Sequence, residues 1–119
     1  MRTVLVVEDE AIIALDLACS IEQLGYRVLG PASNGADAQR IARTERPDLL
    51  LMDVSIQGST DGIDTARLIT DEFPAYVVFL TAHSDEATRR RAENVRPKAF
   101  LAKPCTARQM QSVLAAAFA

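Results

Sequence analysis

Glu8 and Asp9 close the first apolar run of the chain, Asp53 closes the third, Thr81 the fourth, and Lys103, just before Pro104, the fifth. In an open parallel α/β sheet, ligands bind beyond the carboxyl ends of the strands, so these side chains are expected to converge on one crevice. Three carboxylates there repel one another, and their pKa values rise unless a cation compensates. A hard divalent ion held by oxygen answers that need. Mg²⁺, with Mn²⁺ able to substitute, suits Asp9, Asp53 and the backbone carbonyl of Ser55, with Glu8 acting partly through an ordered water. A carboxylate is also a recognised nucleophile for forming an aspartyl phosphate, a reaction that asks mainly for positioning and charge neutralisation. Lys103 supplies a point charge toward a phosphate oxygen or Asp53, and the Thr81 hydroxyl can donate to another oxygen of the transferred group. Ala82, being small, leaves room for the donor.

Each of these residues has a plainer reading when taken alone. Glu8, Asp9 and Glu10 would complement a helix dipole. Asp53 and Lys103 would form a buried ion pair. His83 would be a loop residue rather than an influence on attacking water, and Phe100 would be core. Only their joint placement at successive strand ends points to a site.

The elements that must position them follow from the pattern of apolar residues. Short apolar runs alternate with stretches of helical period, the mark of βα units around a parallel sheet covered on both faces. The strand candidates are Thr3 to Val7, Tyr26 to Leu29, Asp48 to Met52, Ala75 to Leu80 and Ala99 to Ala102. A first helix is expected from an N-cap at Asp9 to Gly25, with Ile13, Leu17, Ile21 and Leu24 on its buried face and Ile12, Leu15 and Cys19 off it. Asn34 starts a second helix that ends before Pro47, and Asp61 a third that ends before Pro74. Ser84, Asp85 and Glu86 start a fourth, which runs to Val95 with only Ala87, Ala92 and Val95 as apolar anchors beside Arg89, Arg90 and Arg91. So few anchors suit either a switching element or a solvated face. Thr106 and Gln109 form a capping box for the last helix, whose inward face carries Met110, Val113, Leu114 and Ala117.

The 119 residues and 49% apolar content suffice for one core, hence one domain over residues 1–119. A net charge of −3 argues against nucleic-acid binding. Neither a run long enough to span a membrane nor a signal-peptide pattern is present, so a soluble, cytoplasmic protein with no membrane partner is expected. Cys19 and Cys105 lack CxxC spacing and His83 is the sole histidine, which excludes a thiolate or imidazole zinc site.

The sequence resembles response-regulator receiver domains. VLVVEDE at the start, LLLMDVS around Asp53, Asp61-Gly62, FLTAH around Thr81 and AFLAKP through Pro104 carry the resemblance, in the right order along nearly the whole chain. It implies a flavodoxin-like doubly wound (βα)5 fold with a five-stranded parallel sheet in the order 2-1-3-4-5, and a cis peptide before Pro104. It further implies phosphoryl transfer to Asp53 from a histidine kinase or histidine phosphotransfer protein, return by hydrolysis, and signalling to a downstream output protein or domain, with a phosphorylation-dependent dimer as a further partner. Thr81 and Phe100 would be the switch residues. Phe100 lacks the hydroxyl of the tyrosine common at its position, so packing alone can drive its reorientation. Gln57 stands where a proline is common, and the loop from Val54 to Asp61, with Gly58, Ser59 and Thr60, is one residue longer than usual. Ile12, Leu15 and Cys19 are expected to help dock the phosphodonor protein, as that helix does in the family.

The rivals are a haloacid-dehalogenase-type phosphatase, a nucleotide- or flavin-binding fold and a phosphorylation-independent interaction module. The first needs a second aspartate two residues after the nucleophile, where Ser55 stands. The second lacks a glycine-rich loop after the first strand. The third does not explain an intact set of site residues. No output domain follows the last helix, which leaves open both a stand-alone receiver and a piece of a longer protein.

Overall fold

Every residue from Leu49 to Asp53 is buried, and this strand forms the middle of the sheet. The computed structural model describes residues 1–56, 58, 60–82 and 85–119. The expectations placed on Gln57, Ser59, His83 and Ser84 lie outside the described residues. In chain order the elements are β1 (Thr3–Val7), α1 (Ala11–Gln23), β2 (Arg27–Ala32), α2 (Gly35–Glu45), β3 (Leu49–Asp53), α3 (Gly62–Glu72), β4 (Tyr76–Thr81), α4 (Glu86–Glu93), β5 (Ala99–Ala102) and α5 (Ala107–Ala117). All strand pairs are parallel, in the order β2-β1-β3-β4-β5. This is the doubly wound flavodoxin-like arrangement expected from the alternating pattern. Among the described residues no helix is long and apolar enough to cross a membrane.

The pleat sorts the core into two layers, because successive side chains of a strand point to opposite faces. Leu5, Val7, Leu50, Met52 and Phe79 meet Ala38 and Ala42 of α2, Ile63, Ala66 and Ile69 of α3, and Ala92 of α4. Val4, Val6, Leu49, Leu51, Val78 and Leu80 meet Leu17 and Ile21 of α1 and Met110, Leu114 and Ala117 of α5. With both faces covered, the central strands have no need of polar alternation, so they read in the sequence as unbroken apolar runs.

The helix starts at Asn34, Asp61 and Thr106 agree with the sequence reading, and α4, expected over Asp85 to Val95, is capped by Asp85 and ends at Glu93. The side chains of Asn34, Asp61 and Asp85 accept from the amides of Asp37, Asp64 and Thr88 at 2.9, 2.9 and 2.8 Å, and Thr106 with Gln109 forms the reciprocal box. Gly25 follows α1 at φ +98°, and α2 and α3 stop ahead of Pro47 and Pro74.

Several element ends shift by a residue or two from expectation, and two differences bear on the site. The N-cap of α1 is Glu10, not Asp9, and Glu10 makes no side-chain cap bond. Asp9 turns to the neighbouring carboxylates instead, as described below. The second strand continues past Leu29 to Ala32, through a cis Gly30-Pro31 bond. Proline is tolerated there because β2 is an edge strand, and its pairing with β1 shifts between Leu5 and Val7. Gly30, at φ +85°, allows that passage; a Cβ would lie 2.8 Å from the Ala32 nitrogen and 3.1 Å from the Val6 oxygen. The extension has a consequence for the site, since Ala32 accepts the Glu8 amide at 2.9 Å.

Candidate phosphoryl-acceptor site

Register alone brings the acidic residues together. β1 pairs Val7 with Met52, so Glu8 and Asp53 leave adjacent strands side by side. β3 pairs Asp53 with Leu80, and the Lys103 amide donates to the Thr81 carbonyl at 3.0 Å, which puts Thr81 and Lys103 at the same edge of the sheet. Glu8, Asp9 and Asp53 each offer a carboxylate oxygen, and these oxygens all lie within 4.8 Å of one another. Glu8 and Asp53 are buried and Asp9 is half-buried.

Lys103 reaches into this cluster. Its Nζ donates to Asp53 Oδ2 at 3.0 Å and stands 2.8 Å from Glu8 Oε1. The latter approach lies off a good hydrogen-bonding direction. Glu8 Oε1 is accordingly a buried side-chain oxygen without a hydrogen-bond partner among the described residues. Glu8 Oε2 accepts from the Glu10 amide at 3.1 Å. Burial pushes the Glu8 carboxyl above the ordinary range and the charge of Asp53 adds to that, while Lys103 and the Glu10 amide hold it back only in part. Burial would pull the Lys103 ammonium down, but its ion pair with Glu8, its hydrogen bond to Asp53 and the charges of both acids outweigh that, and its pKa lies above the usual lysine value.

The donor set fits a hard cation. Three carboxylates share a largely buried pocket with one ammonium, so negative charge exceeds positive and a hard cation held by these oxygens would balance it.

Asp53 is held in orientation by a contact the sequence reading missed. The Ser55 amide donates to Asp53 Oδ1 at 3.0 Å. This is an Asx-type turn, signalled by an aspartate closing a strand just before the chain bends away. The sequence places Ser55 at the site through its carbonyl; the contact seen is made by its amide. Thr81, half-buried, ends β4 next to this cluster. Phe100 sits apart from it, on the α4 side of β5, stacked on Phe79 with centroids 5.9 Å apart and under the Arg89 guanidinium. Nothing in the sequence pattern points to that contact of Arg89.

Residues 4–115 match the response regulator receiver domain family. The chain belongs to that family. It is 41% identical over 103 residues to the transcriptional regulatory protein PdtaR of Mycobacterium tuberculosis, a stretch covering 87% of this chain and 50% of that protein. The chain thus spans about half the length of that relative. Among solved structures it superposes on the signal receiver domain of a modulated diguanylate cyclase from Desulfovibrio desulfuricans with a TM-score of 0.92 at 37% identity, covering 98% of this chain and 93% of that one. A response regulator from Burkholderia pseudomallei, solved with a phosphorylated aspartic acid, a calcium ion and citrate, matches with a TM-score of 0.84 at 29% identity over 98% of this receiver and 66% of that chain. As a receiver domain of a response regulator, this chain is of the class that serves as phosphoacceptor switches in two-component systems; a haloacid-dehalogenase-type phosphatase is not favoured.

Proposed function

We propose that residues 1–119 form a single receiver that takes a phosphoryl group onto Asp53 from a histidine kinase or histidine phosphotransfer protein. The observation that carries this reading is the Asp53 carboxylate itself, buried at a strand end, with one oxygen tied to Lys103 and the other to the Ser55 amide. Held so, it cannot rotate away from an incoming donor. An Asp53 oxygen forms the new bond to phosphorus as the bond from phosphorus to the donor nitrogen or oxygen breaks, and the donor leaves with the electron pair. Lys103 neutralises charge on the acceptor and then on the phosphoryl oxygens, and the Thr81 hydroxyl donates to one of them. Asp9, Asp53 and the Ser55 carbonyl would hold Mg²⁺, or Mn²⁺ in its place, with Glu8 contributing through water; the ion would neutralise the equatorial oxygens of the transferred group. The Burkholderia relative with its phosphorylated aspartic acid and divalent cation supports the same assignment.

In this reading the domain assists its own phosphorylation and hydrolysis and turns over no separate substrate. It works in the cytoplasm, and Thr81 and Phe100 carry the change to an output partner or a second receiver. Incubation with a small acyl phosphate and Mg²⁺ is expected to add one phosphoryl group by intact mass, and Asp53→Asn to abolish it. Persistence of the mass gain in Asp53→Asn would overturn the assignment.

The protein donor would dock on α1. Ile12 and Leu15 are 85% and 64% exposed there, large apolar side chains left open to solvent by the elements around them. Leu15→Asp is therefore expected to slow transfer from a phosphorylated histidine protein about tenfold or more while leaving the small-donor rate unchanged. An equal loss with both donors would place Leu15 in folding rather than docking.

A further inference from the structure

The start of α3 rests against the start of α2 through two hydroxyl groups. Gly35, the first residue of α2, is buried, and a Cβ built on it would lie 2.5 Å from Thr65 Oγ1 and 2.6 Å from Thr60 Oγ1. The hydroxyls thus occupy space that a larger residue at this position would fill with carbon. Thr60 is half-buried just ahead of the α3 cap, and Thr65, one turn into the helix, has no exposed surface. Their ladder runs in one direction. Thr65 Oγ1 donates to the Asp61 carbonyl at 2.7 Å, and a hydroxyl has a single proton to give, so across the 3.3 Å between the two it is Thr60 that donates to Thr65.

From this seat the contacts run to the acceptor through backbone. Asp61 is the N-cap of α3, and the next residue, Gly62, packs directly on the Asp53 carbonyl and gives its amide to the Val54 carbonyl at 3.0 Å. At the other end of the same segment the Ser55 amide donates to Asp53 Oδ1, and Ile56 is buried in the core layer that α2 and α3 cover. The start of α3 is therefore held between Gly35 on one side and the end of β3 on the other.

We propose that Gly35, Thr60 and Thr65 are positioning residues for phosphoryl acceptance: the glycine leaves a seat at the start of α2, the two hydroxyls fill it, and the fit fixes the turn that presents the Asp53 carboxylate. The effect on rate rests on the phosphoacceptor reading; the seat and its hold on the Ser55 amide do not. Close-packed backbone on both sides transmits a misfit instead of absorbing it, so a change at Gly35 is felt at Asp53. The sign of the effect separates this role from local helix preference. Gly35 lies outside the positive-φ region and alanine is the better helix former, so on propensity alone Gly35→Ala would steady α2. A filled seat acts the other way at Asp53.

Two measurements test it. Exchange of the Ser55 amide, followed by NMR on the unphosphorylated protein without donor or divalent ion, reads the turn; the initial rate with a small acyl phosphate at saturating Mg²⁺ reads acceptance. Thr60→Val keeps the shape of the side chain and loses its hydroxyl, and is expected to speed Ser55 exchange and slow acceptance about three- to tenfold each, the size of one hydrogen bond. Gly35→Ala, which crowds both hydroxyls, should change each about tenfold or more. Thr60→Ser keeps the hydroxyl and should stay within about twofold of the parent in both. Gly25→Ala, a strained turn ahead of β2 at the end of the sheet away from Asp53, controls for general loss of stability and should also stay within about twofold. Parent values in both Thr60→Val and Gly35→Ala overturn the proposal, as does a loss in Thr60→Ser equal to that in Thr60→Val. If Ser55 exchange quickens and the rate does not fall, the link to acceptance is overturned and the seat stands. A parent that takes no phosphoryl group overturns the phosphoacceptor reading and with it the effect on rate, while Ser55 exchange still decides the seat.

Discussion

Lys103→Met is expected to remain folded at about 2–4 kcal/mol less stability, and to accept a phosphoryl group from a small donor about a hundredfold or more slowly. The stability loss follows from what the ammonium leaves behind: Glu8 and Asp53, both buried, with carboxylates facing each other across the pocket. Removing one partner of a buried ion pair costs about 3–5 kcal/mol, and the lower figure allows for the half-buried Lys103 and for a carboxylate taking up a proton. The rate loss is that of removing a preorganised donor to developing charge, about 10² to 10³. The two effects can be told apart by pH. With the cation gone, the folded variant binds a proton more tightly than its unfolded chain, so its stability falls as pH rises from the carboxylate range toward neutrality. In the parent the raised Glu8 carboxyl has the same sign, but Lys103 holds that rise back in part, and the Lys103 contribution itself does not change between the carboxylate range and neutrality. The raised ammonium pKa gives a contribution fully present below the ordinary lysine range and lost as pH climbs through the folded value. Urea unfolding at about pH 5 and about pH 7.5 should therefore show a gap between variant and parent that widens with pH. A gap constant across that range would mean that Lys103 is not neutralising the two acids.

The sheet was legible because its physics is periodic and local. Val4 to Val7 and Leu49 to Met52 are covered on both faces, and a run of four apolar residues has little else to become. The caps at Asn34, Asp61, Asp85 and Thr106 were legible for the same reason, since each is a bond between a side chain and an amide three residues on. Asp9 reads as a cap in the sequence because its chemistry suits two tasks. A carboxylate before a helix satisfies an amide or joins other carboxylates, and only the register of β1 on β3 decides which. The end of β2 was lost at Gly30-Pro31, where a breaker signal met an edge strand that tolerates it.

The site was legible as a set of residue types and not as a set of contacts. That Glu8, Asp53 and Lys103 meet follows from three strands ending at one level. That the Ser55 amide orients Asp53, or that Arg89 covers Phe100, depends on loop geometry and on how far a long side chain reaches across an interface. Neither has a period. α4 reads in the sequence as either a switching element or a solvated face because it is poor in apolar anchors, and Ala92 is its one buried residue; that Arg91 reaches Asp61 at the start of α3 and Arg89 the Phe100 ring of β5 comes from tertiary placement.

Gly62→Ala should be among the most damaging single-methyl changes in the chain, although it sits where a helix would ordinarily welcome alanine. Alanine in place of glycine in a helix gains about 0.5–1 kcal/mol from propensity. Here the added Cβ would overlap the carbonyl oxygen of Asp53 and stand 2.8 Å from its carbon and 3.0 Å from Val54 Cα. These are backbone atoms of β3 and the turn after it, so no side chain can swing aside, and Gly62 also gives its amide to the Val54 carbonyl at 3.0 Å. α3 must lift off the strand or the strand end must move. Either adjustment is overpacking against a rigid wall, expected to cost about 3 kcal/mol or more net. It also shifts the phosphoacceptor, and displacement of a reacting group by about 1 Å can cost about a hundredfold in rate. Gly25→Ala supplies the comparison. Gly25 has φ +98° and a Cβ added there would have nothing within 4 Å, so alanine meets backbone strain of about 1–2 kcal/mol and no clash. Chemical denaturation and small-donor phosphorylation of the two variants should separate them: Gly25→Ala loses stability alone, whereas Gly62→Ala loses more stability and phosphorylation rate together. Equal phosphorylation rates in the two would show that the position of Asp53 does not depend on how closely α3 seats against it.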